Sequence, residues 1–433
     1  MPTALTHAFE DIFICLNKTM FALDKYLPYA KQSIDEDDIE AVVGVLRGDW
    51  LTTGPAVRGF EEALENRVQA RHALAVSSGT AALHIAALAT GLGPGKCAIV
   101  PTVTFVATAN AVRFCGADVV FADVEPDTGL MGPAQFEEAI KRCRKTGRDI
   151  SAVFPVHLAG QCADPEKIYE IAQREGIAVI EDACHAIGTK YSDAEGNIFE
   201  VGSCAHSSMT IFSFHPAKTI AMGEGGAVTT NSDELNTKLE KLRNHGMERG
   251  AGSFVNPEMA LAADGTANPW YYEMAEPGYN YRASDLHCAL GSSQLAKLDK
   301  FVNVRCKAVD YYAEKISALA PHVTPLRRND STRTSWHVFI ALFDFEELGV
   351  SRSQMMHRLR ERNVGTQVLY IPVHLQPYYA ERYPRTELPG ANEYYQKCLC
   401  LPLHSAITES EIDLIINAVD KSLNNSTGAT SHV

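Results

Sequence analysis

Ala152-Val-Phe-Pro-Val156 and Ile177-Ala-Val-Ile180 are short apolar runs, and the chain between them has the pattern of a helix. Asp164 suits the N-cap and Pro165 the first helical position, where a missing N–H costs nothing. Ile168, Ile171 and Ala172 fall on one face at helical spacing, so the unit reads strand, helix, strand. Working outward, the same alternation continues in both directions. Towards the N-terminus lie strands at Ala73–Val76, Ala98–Val100 and Val119–Phe121, with helices at Ala81–Ala89 and Val106–Phe114; towards the C-terminus lie strands at Thr210–Ser213 and Gly226–Thr229. Strands that alternate with helices predict an α/β fold, a mostly parallel sheet of seven strands covered on both faces. Ligands of such sheets bind at the carboxyl ends of the strands.

Beyond this region the pattern changes. Residues Gly246–Pro277 are rich in Gly, Ala, Asn and Pro without clean periodicity, which predicts a long functional loop. Helices are predicted at Ala289–Val302 and Arg305–Leu319. After Pro321 a smaller α+β unit follows, with strands at Trp336–Phe343 and Gly365–Tyr370 and helices at Ser353–Arg362 and Glu409–Ser422. The expected division is an N-terminal extension over 1–25, a large domain over 26–300 and a small domain over 301–433, with a Ser/Gly/Thr-rich tail from about Asn424.

The 433 residues carry 39 basic and 53 acidic side chains, a formal charge of −14. That balance argues against a nucleic-acid or anionic-membrane surface but leaves room for a phosphorylated ligand, which local donors hold. No apolar run reaches the ~20 residues a bilayer crossing needs. Ile12–Leu16 follows Glu10 and Asp11 instead of a basic segment, so no signal peptide is read and a cytoplasmic protein is expected. The 11 cysteines lack both a paired framework and metal-ligand spacing, so reduced thiols and no metal are expected.

Four segments at strand ends carry chemistry. Ser77-Ser78-Gly79-Thr80 opens a helix, where free N–H groups and small hydroxyls suit a phosphate. Asp182, in Ile180-Glu-Asp-Ala183, ends an apolar strand, and an acid there needs a partner such as a protonated ring nitrogen. Lys218, in Phe212-Ser-Phe-His-Pro-Ala-Lys218, precedes the Gly-rich turn Gly223-Glu-Gly-Gly226. A lysine desolvated in that setting becomes nucleophilic. Phe105 stands just after the strand exit at Pro101, placed to stack on a planar ring. Taken singly each has an ordinary alternative: a tight turn, an ion pair, a solvated lysine, a core aromatic.

Together, in this order and spacing, the Ser-Gly-Thr, the Glu-Asp-Ala-x-His, the Ser-Phe-x-x-x-Lys and the Gly-Glu-Gly-Gly resemble the DegT/StrS family of sugar aminotransferases over roughly residues 26–423. The resemblance implies the fold-type-I architecture of pyridoxal-phosphate (PLP) dependent enzymes, with the cofactor passing through pyridoxamine phosphate. Lys218 is then the Schiff-base lysine and Asp182 the partner of the pyridine nitrogen. Ser78, Gly79, Thr80 and Ser213 hold the phosphate, Phe105 stacks on the ring and His185 lies beside it. Gly278-Tyr-Asn-Tyr-Arg282 matches a segment that reaches a neighbouring subunit's site, so Asn280 is expected on the phosphate across a homodimer interface.

Within the family, Trp270-Tyr-Tyr-Glu-Met274, Ala289–Asp299 and Tyr370-Ile-Pro-Val-His-Leu-Gln-Pro-Tyr-Tyr379 resemble the branch that serves pseudaminic acid biosynthesis. That implies a UDP-linked 4-keto-6-deoxy-N-acetyl hexose as acceptor, L-glutamate as donor and 2-oxoglutarate as by-product. His215, Tyr281, Arg282, Tyr370 and His374 are the expected substrate contacts. Leu369 stands where that branch is expected to carry histidine, and Pro277 where it carries leucine. Transaminases for UDP-4-keto-arabinose share the Phe-Ser-Phe-His run and stand as the alternative, beside a non-catalytic nucleotide-sugar-binding regulator on the same scaffold. The related sugar dehydratases place histidine where this chain has Lys218.

Overall fold

The structure, a computed structural model, describes residue 23 and residues 25–250, 254–383 and 386–424. Most of the expected N-terminal extension and the tail beyond residue 424 lie outside the described residues. Helices α1 (Glu36–Arg47) and α2 (Pro55–Val68) lead into β1 (His72–Val76) and α3 (Gly79–Ala89), then β2 (Lys96–Pro101), α4 (Val106–Phe114) and β3 (Asp118–Ala122). Next come α5 (Pro133–Arg144), β4 (Asp149–Val153), α6 (Pro165–Glu175), β5 (Ala178–Asp182), β6 (Met209–Ser213), β7 (Gly226–Thr230) and α7 (Asp233–Arg243). The seven strands form one sheet in the order β1-β7-β6-β5-β4-β2-β3. All neighbours are parallel except β7, which runs antiparallel to both β1 and β6.

Both faces of the sheet are buried, which is why its strands are near-continuous apolar runs. Ile99, Val153 and Val179 point to one side and pack with Ile168, Ile171 and Ala172 of α6. Ala98, Val100, Ala152 and Ile180 point to the other, with Ile85 of α3 and Ile211 of β6. The period of two along each strand thus feeds two separate cores. Helix α6 stops at Gly176, whose φ of 69° supplies the left-handed C-cap.

Several expected boundaries move. Asp164 stands at the N-cap of α6 as expected, but with a φ of 49° and no side-chain cap bond; its carboxylate pairs instead with Lys167 at 3.0 Å. The strand expected to reach Val156 ends at Val153, because Pro155 has no N–H for the ladder; its carbonyl still accepts from Asp182 N at 2.8 Å. The helix break expected between Val302 and Arg305 falls at Lys297, between α8 (Asp285–Ala296) and α9 (Leu298–Ile316). There Lys297 Nζ bridges Asp35 at 2.6 Å and Asp38 at 2.7 Å.

Towards the C-terminus, β8 (Val323–Pro325), β9 (Phe339–Phe343) and β10 (Cys398–Leu401) form an antiparallel sheet with β9 at its centre. The longer helices of this part are α10 (Arg352–Glu361), α11 (Pro389–Lys397) and α12 (Glu409–Asn424), with a short helical turn at Pro377–Arg382 between the first two. Gly365–Tyr370 is not a strand; it touches β10 through the single bridge Gln367–Cys400. The described residues of the Gly246–Pro277 stretch are mostly irregular, with a two-residue ladder of Met247–Glu248 with Glu273–Met274. Among the described residues no helix is long and apolar enough to cross a membrane.

Candidate active site

The antiparallel β7 builds the first part of the site. Gly226 lies between Val76 of β1 and Ser213 of β6, opposite both in register. A Cβ on Gly226 would stand 2.4 Å from the Ser78 carbonyl carbon, and one on Gly79 would stand 2.8 Å from Ser213 Cβ. Only glycine at both positions lets the start of α3 meet the end of β6. Ser78 caps α3, its Oγ accepting from Ala81 N at 3.1 Å. The helix itself offers no acceptor to the N–H groups of Gly79 and Thr80. These donors, the hydroxyls of Ser78, Thr80 and Ser213, and the positive end of the helix dipole form an anion cradle.

The cradle is one wall of a cavity of about 510 Å³ that also receives Asp182, His185, Lys218, Phe105 and Tyr370. Asp182 is buried at the end of β5. Its Oδ2 accepts from Thr108 Oγ1 at 2.7 Å and its Oδ1 from Cys184 N at 3.2 Å, both neutral donors. Lys218 sits in the loop between β6 and β7, which is clipped by Phe214 N to Gly225 O at 2.9 Å and Met222 N to Phe214 O at 2.8 Å. Phe214 anchors the loop edge-on against Phe60 at 5.4 Å. Burial holds the Lys218 ammonium below the usual lysine range, opposed by the acidic groups of Cys184 and Asp182. The result is an amine that gives up its proton readily.

Burial, with Lys218 adding to it, keeps His185 neutral. Its Nδ1 accepts from Ala159 N at 3.3 Å, which assigns the ring proton to Nε2, 3.0 Å from Tyr370 Oη. Phe105, at the N-cap of α4, remains 56% exposed while lining the cavity, its centroid 6.0 Å from the Tyr370 ring. An aromatic face left open in a cavity is a stacking surface. His337 packs against His185 at 4.4 Å between centroids, and its buried Nδ1 has no hydrogen-bond partner.

His215 also lines the cavity, with Nδ1 accepting from Ala217 N at 3.2 Å. Four expected residues do not line it in this chain. Asn280 is exposed and bridges to Asn244. Tyr281 packs against His84, its hydroxyl 3.2 Å from His84 Nδ1. Arg282 lines a different cavity and donates to Asn244 Oδ1 at 2.5 Å. His374 faces Phe121 and shares a 2.6 Å hydrogen bond with Thr102. Sequence reading passed over Thr108, Cys184, Tyr29, Gln367, Gln376 and His337, all of which line the cavity. Thr108, one turn into α4 from Phe105, was within reach of a helical-spacing argument; Tyr29 and Gln367 had no local signal. Leu369, at the position expected to be histidine, gives the cavity an apolar wall, and its carbonyl accepts from Tyr394 Oη at 2.6 Å.

Sheet order, cradle, buried carboxylate and half-buried lysine are those of a PLP-dependent aminotransferase. The chain belongs to the DegT/DnrJ/EryC1/StrS aminotransferase family, whose model matches residues 32–420, and is a PLP-dependent sugar aminotransferase. It is 37% identical over 397 residues, 91% of this chain and 96% of the relative, to the spore coat polysaccharide biosynthesis protein SpsC of Bacillus subtilis (strain 168). Among solved structures it is similar to Helicobacter pylori PseC, an aminotransferase involved in the biosynthesis of pseudoaminic acid. There the TM-score is 0.81 at 26% identity, covering 93% of this chain and 100% of that one. It is also similar to DesI, solved in the presence of its TDP-sugar product, with a TM-score of 0.78 at 28% identity, covering 93% and 95%. A further similar structure, that of Spr1654 from Streptococcus pneumoniae, is solved in PLP and pyridoxamine phosphate forms. The residues present fit that cofactor: a carboxylate with only neutral donors, a cradle that two added Cβ atoms would fill, and an open aromatic face.

Proposed function

We propose that this enzyme moves the amino group of L-glutamate to the C4 keto group of a UDP-linked 4-keto-6-deoxy-N-acetyl hexose, releasing 2-oxoglutarate. This is the reaction of a UDP-4-amino-4,6-dideoxy-N-acetyl-β-L-altrosamine transaminase. The observation that carries it is the placement of the Lys218 amine and the Asp182 carboxylate in one cavity of about 510 Å³. The likeness to a pseudoaminic acid aminotransferase and to an enzyme solved with a TDP-sugar product supports a nucleotide-linked sugar.

When bound, PLP supplies an electron sink for the charge developed at the substrate carbon. Asp182, held by Thr108 and Cys184, stabilises a protonated ring nitrogen. Gly79 and Thr80 N–H with the Ser78 and Ser213 hydroxyls take the phosphate, and Phe105 stacks against the ring. Lys218 Nζ removes the α-proton of glutamate and later delivers a proton at C4 of the sugar, a general acid–base role suited to a desolvated amine. His185 and Tyr370 form a fixed polar wall beside it, and His215 stands on the substrate side. Asn280, Tyr281 and Arg282 serve the site of a second subunit in a homodimer; the exposure of Asn280 outside its own cavity supports that arrangement.

The test uses the purified holoenzyme. L-glutamate is expected to change the cofactor's visible absorbance and yield 2-oxoglutarate, after which UDP- and dTDP-linked keto sugars are offered in turn. Amination of the UDP-linked 4-keto hexose supports the reading; an unreactive cofactor, or turnover of other sugars alone, overturns it.

A further inference from the structure

Glu181 and Asp182 are neighbours on β5, so their side chains leave the sheet on opposite faces. Asp182 enters the cavity; Glu181 does not line it. Glu181 is buried, and its Oε1 lies 3.1 Å from Nε2 of the equally buried His157. Its Oε2 accepts from Ser207 Oγ at 2.9 Å and from Thr210 Oγ1 at 2.6 Å. Burial by itself would raise this carboxyl, but the bonds from His157, Thr210 and Ser207 outweigh it and hold Glu181 below the usual range. Ala163 N donates to His157 Nδ1 at 3.2 Å, which assigns the Nε2 proton to Glu181. A buried carboxylate with three donors is a rigid anchor.

His157 opens a tight turn over Leu158–Gly160, closed by Gly160 N to His157 O at 3.1 Å and Gln161 N to Leu158 O at 3.0 Å. Inside it Ala159 has a φ of 59°, the left-handed region that residues other than glycine seldom occupy. Such a conformation persists only where the surroundings impose it. Three contacts do so here. Glu181 holds the His157 ring before the turn, Thr189 Oγ1 donates to Gly160 O at 2.9 Å, and His337 N donates to Ala159 O at 2.9 Å. The imposed orientation aims Ala159 N at His185 Nδ1, 3.3 Å away. Gly160 allows the approach, since a Cβ there would stand 3.1 Å from the His185 carbonyl oxygen.

We propose that His157 and Glu181, both outside the cavity, are positioning residues for amino transfer. They hold the Ala159 N–H, the Ala159 N–H selects the Nε2-protonated form of His185, and that form donates to Tyr370 Oη at 3.0 Å. With Ala159 released, the His185 proton is free to move to Nδ1, and Tyr370 then spends its own proton on Nε2 instead of offering it to the cavity. A competing route runs through the main chain, because His157 N donates to Asp182 O at 3.1 Å. A pair acting by that route would disturb Asp182 whether or not residue 370 carries a hydroxyl.

The experiment has two readouts, and only the kinetic one rests on glutamate as the donor. Magic-angle-spinning NMR of holoenzyme carrying 15N-labelled histidine reads the His185 tautomer, its resonance being identified by its shift in Tyr370→Phe. A proton on Nε2 is expected in the wild type, and a mixture with Nδ1 in His157→Leu and Glu181→Gln. A wild-type proton on Nδ1, or a tautomer that neither variant moves, overturns the proposal. The glutamate half-reaction is then followed in His157→Leu, His157→Gln and Glu181→Gln, each with and without Tyr370→Phe. His157→Leu is expected to slow it about tenfold, the scale of one net hydrogen bond, and His157→Gln, which keeps a donor towards Glu181, to recover part of the loss. In the Tyr370→Phe background the same changes are expected to cost less than about twofold, since both act along one path. Losses that multiply in the double variants overturn the proposal in favour of a purely structural pair. Glu181→Gln, with the shape of the native side chain, carries both readouts if His157→Leu fails to fold. A wild type with the expected tautomer that ignores glutamate refutes the donor, and the NMR result still decides the positioning.

Discussion

His185 Nε2 and Tyr370 Oη stand 3.0 Å apart, joining β5's end to a loop 185 residues away. Since His185 Nδ1 accepts from Ala159 N, the imidazole donates and Tyr370 is left with a hydroxyl proton for the cavity. Tyr370→Phe removes that donor while keeping the ring that faces Phe105. A roughly tenfold lower kcat is expected, the scale of one net hydrogen bond, measured in steady state against the glutamate half-reaction.

Lys218→Ala and Lys218→Arg are both expected to abolish turnover, by at least about 10³-fold, since neither offers a primary amine that releases its proton near neutral pH. Single-turnover measurement with glutamate decides it. Normal activity in the alanine variant would remove Lys218 from the mechanism.

Asp182 and Thr108 share a 2.7 Å hydrogen bond, and they differ in what they do. Asp182→Asn takes away the charge that stabilises a protonated ring nitrogen, and kcat is expected to collapse. Thr108→Val removes one donor to that charge, worth about 1.5–3 kcal/mol, so a loss of roughly 10- to 100-fold is expected. Equal losses in the two variants would contradict this ranking.

Gly226→Ala places a methyl against the backbone of Ser78 at 2.4 Å, where no flexible side chain can yield. Overpacking of this kind costs about 1–3 kcal/mol, and it also pushes the start of α3 off Ser213. PLP affinity and the apoenzyme's melting temperature are expected to fall together. A variant that loses stability yet binds PLP normally would separate the cradle from the cofactor.

His185 and His337 are held neutral, far below the 6.5 of an ordinary histidine, chiefly by burial. Below that value the unfolded chain takes up protons that the folded one refuses, so stability falls as pH drops through 6.5 and is fully present above it. Each ring is expected to cost about 1 kcal/mol between pH 7.5 and 5.5. Urea midpoints at the two pH values check this, and His337→Phe is expected to shrink the difference.

Much of the site was legible because its markers sit at strand ends within single motifs. Ser78–Thr80, Asp182, His185, Ser213, Lys218 and Phe105 all line one cavity. Less legible were contacts supplied by segments with no signature of their own. Tyr29 precedes the first helix, and Gln367 belongs to an irregular stretch whose apolar run reads as a strand. Leu369 shows the limit from the other side: its identity was visible, while its position as an apolar wall of the cavity was not.

By itself the sequence determined the alternation of strands and helices, the sheet buried on both faces and the residue types at each strand end. Those features follow from periodicity and local chemistry, which neighbouring residues carry in full. Only the tertiary structure decided that β7 runs antiparallel, so that Gly226 brings Ser78 against Ser213, and that Thr108 reaches Asp182 across 74 residues. It likewise decided that Asn280, Tyr281, Arg282 and His374 do not line their own chain's cavity. Such pairings are set by the packing of whole layers against one another, and no short window of residues contains that energy.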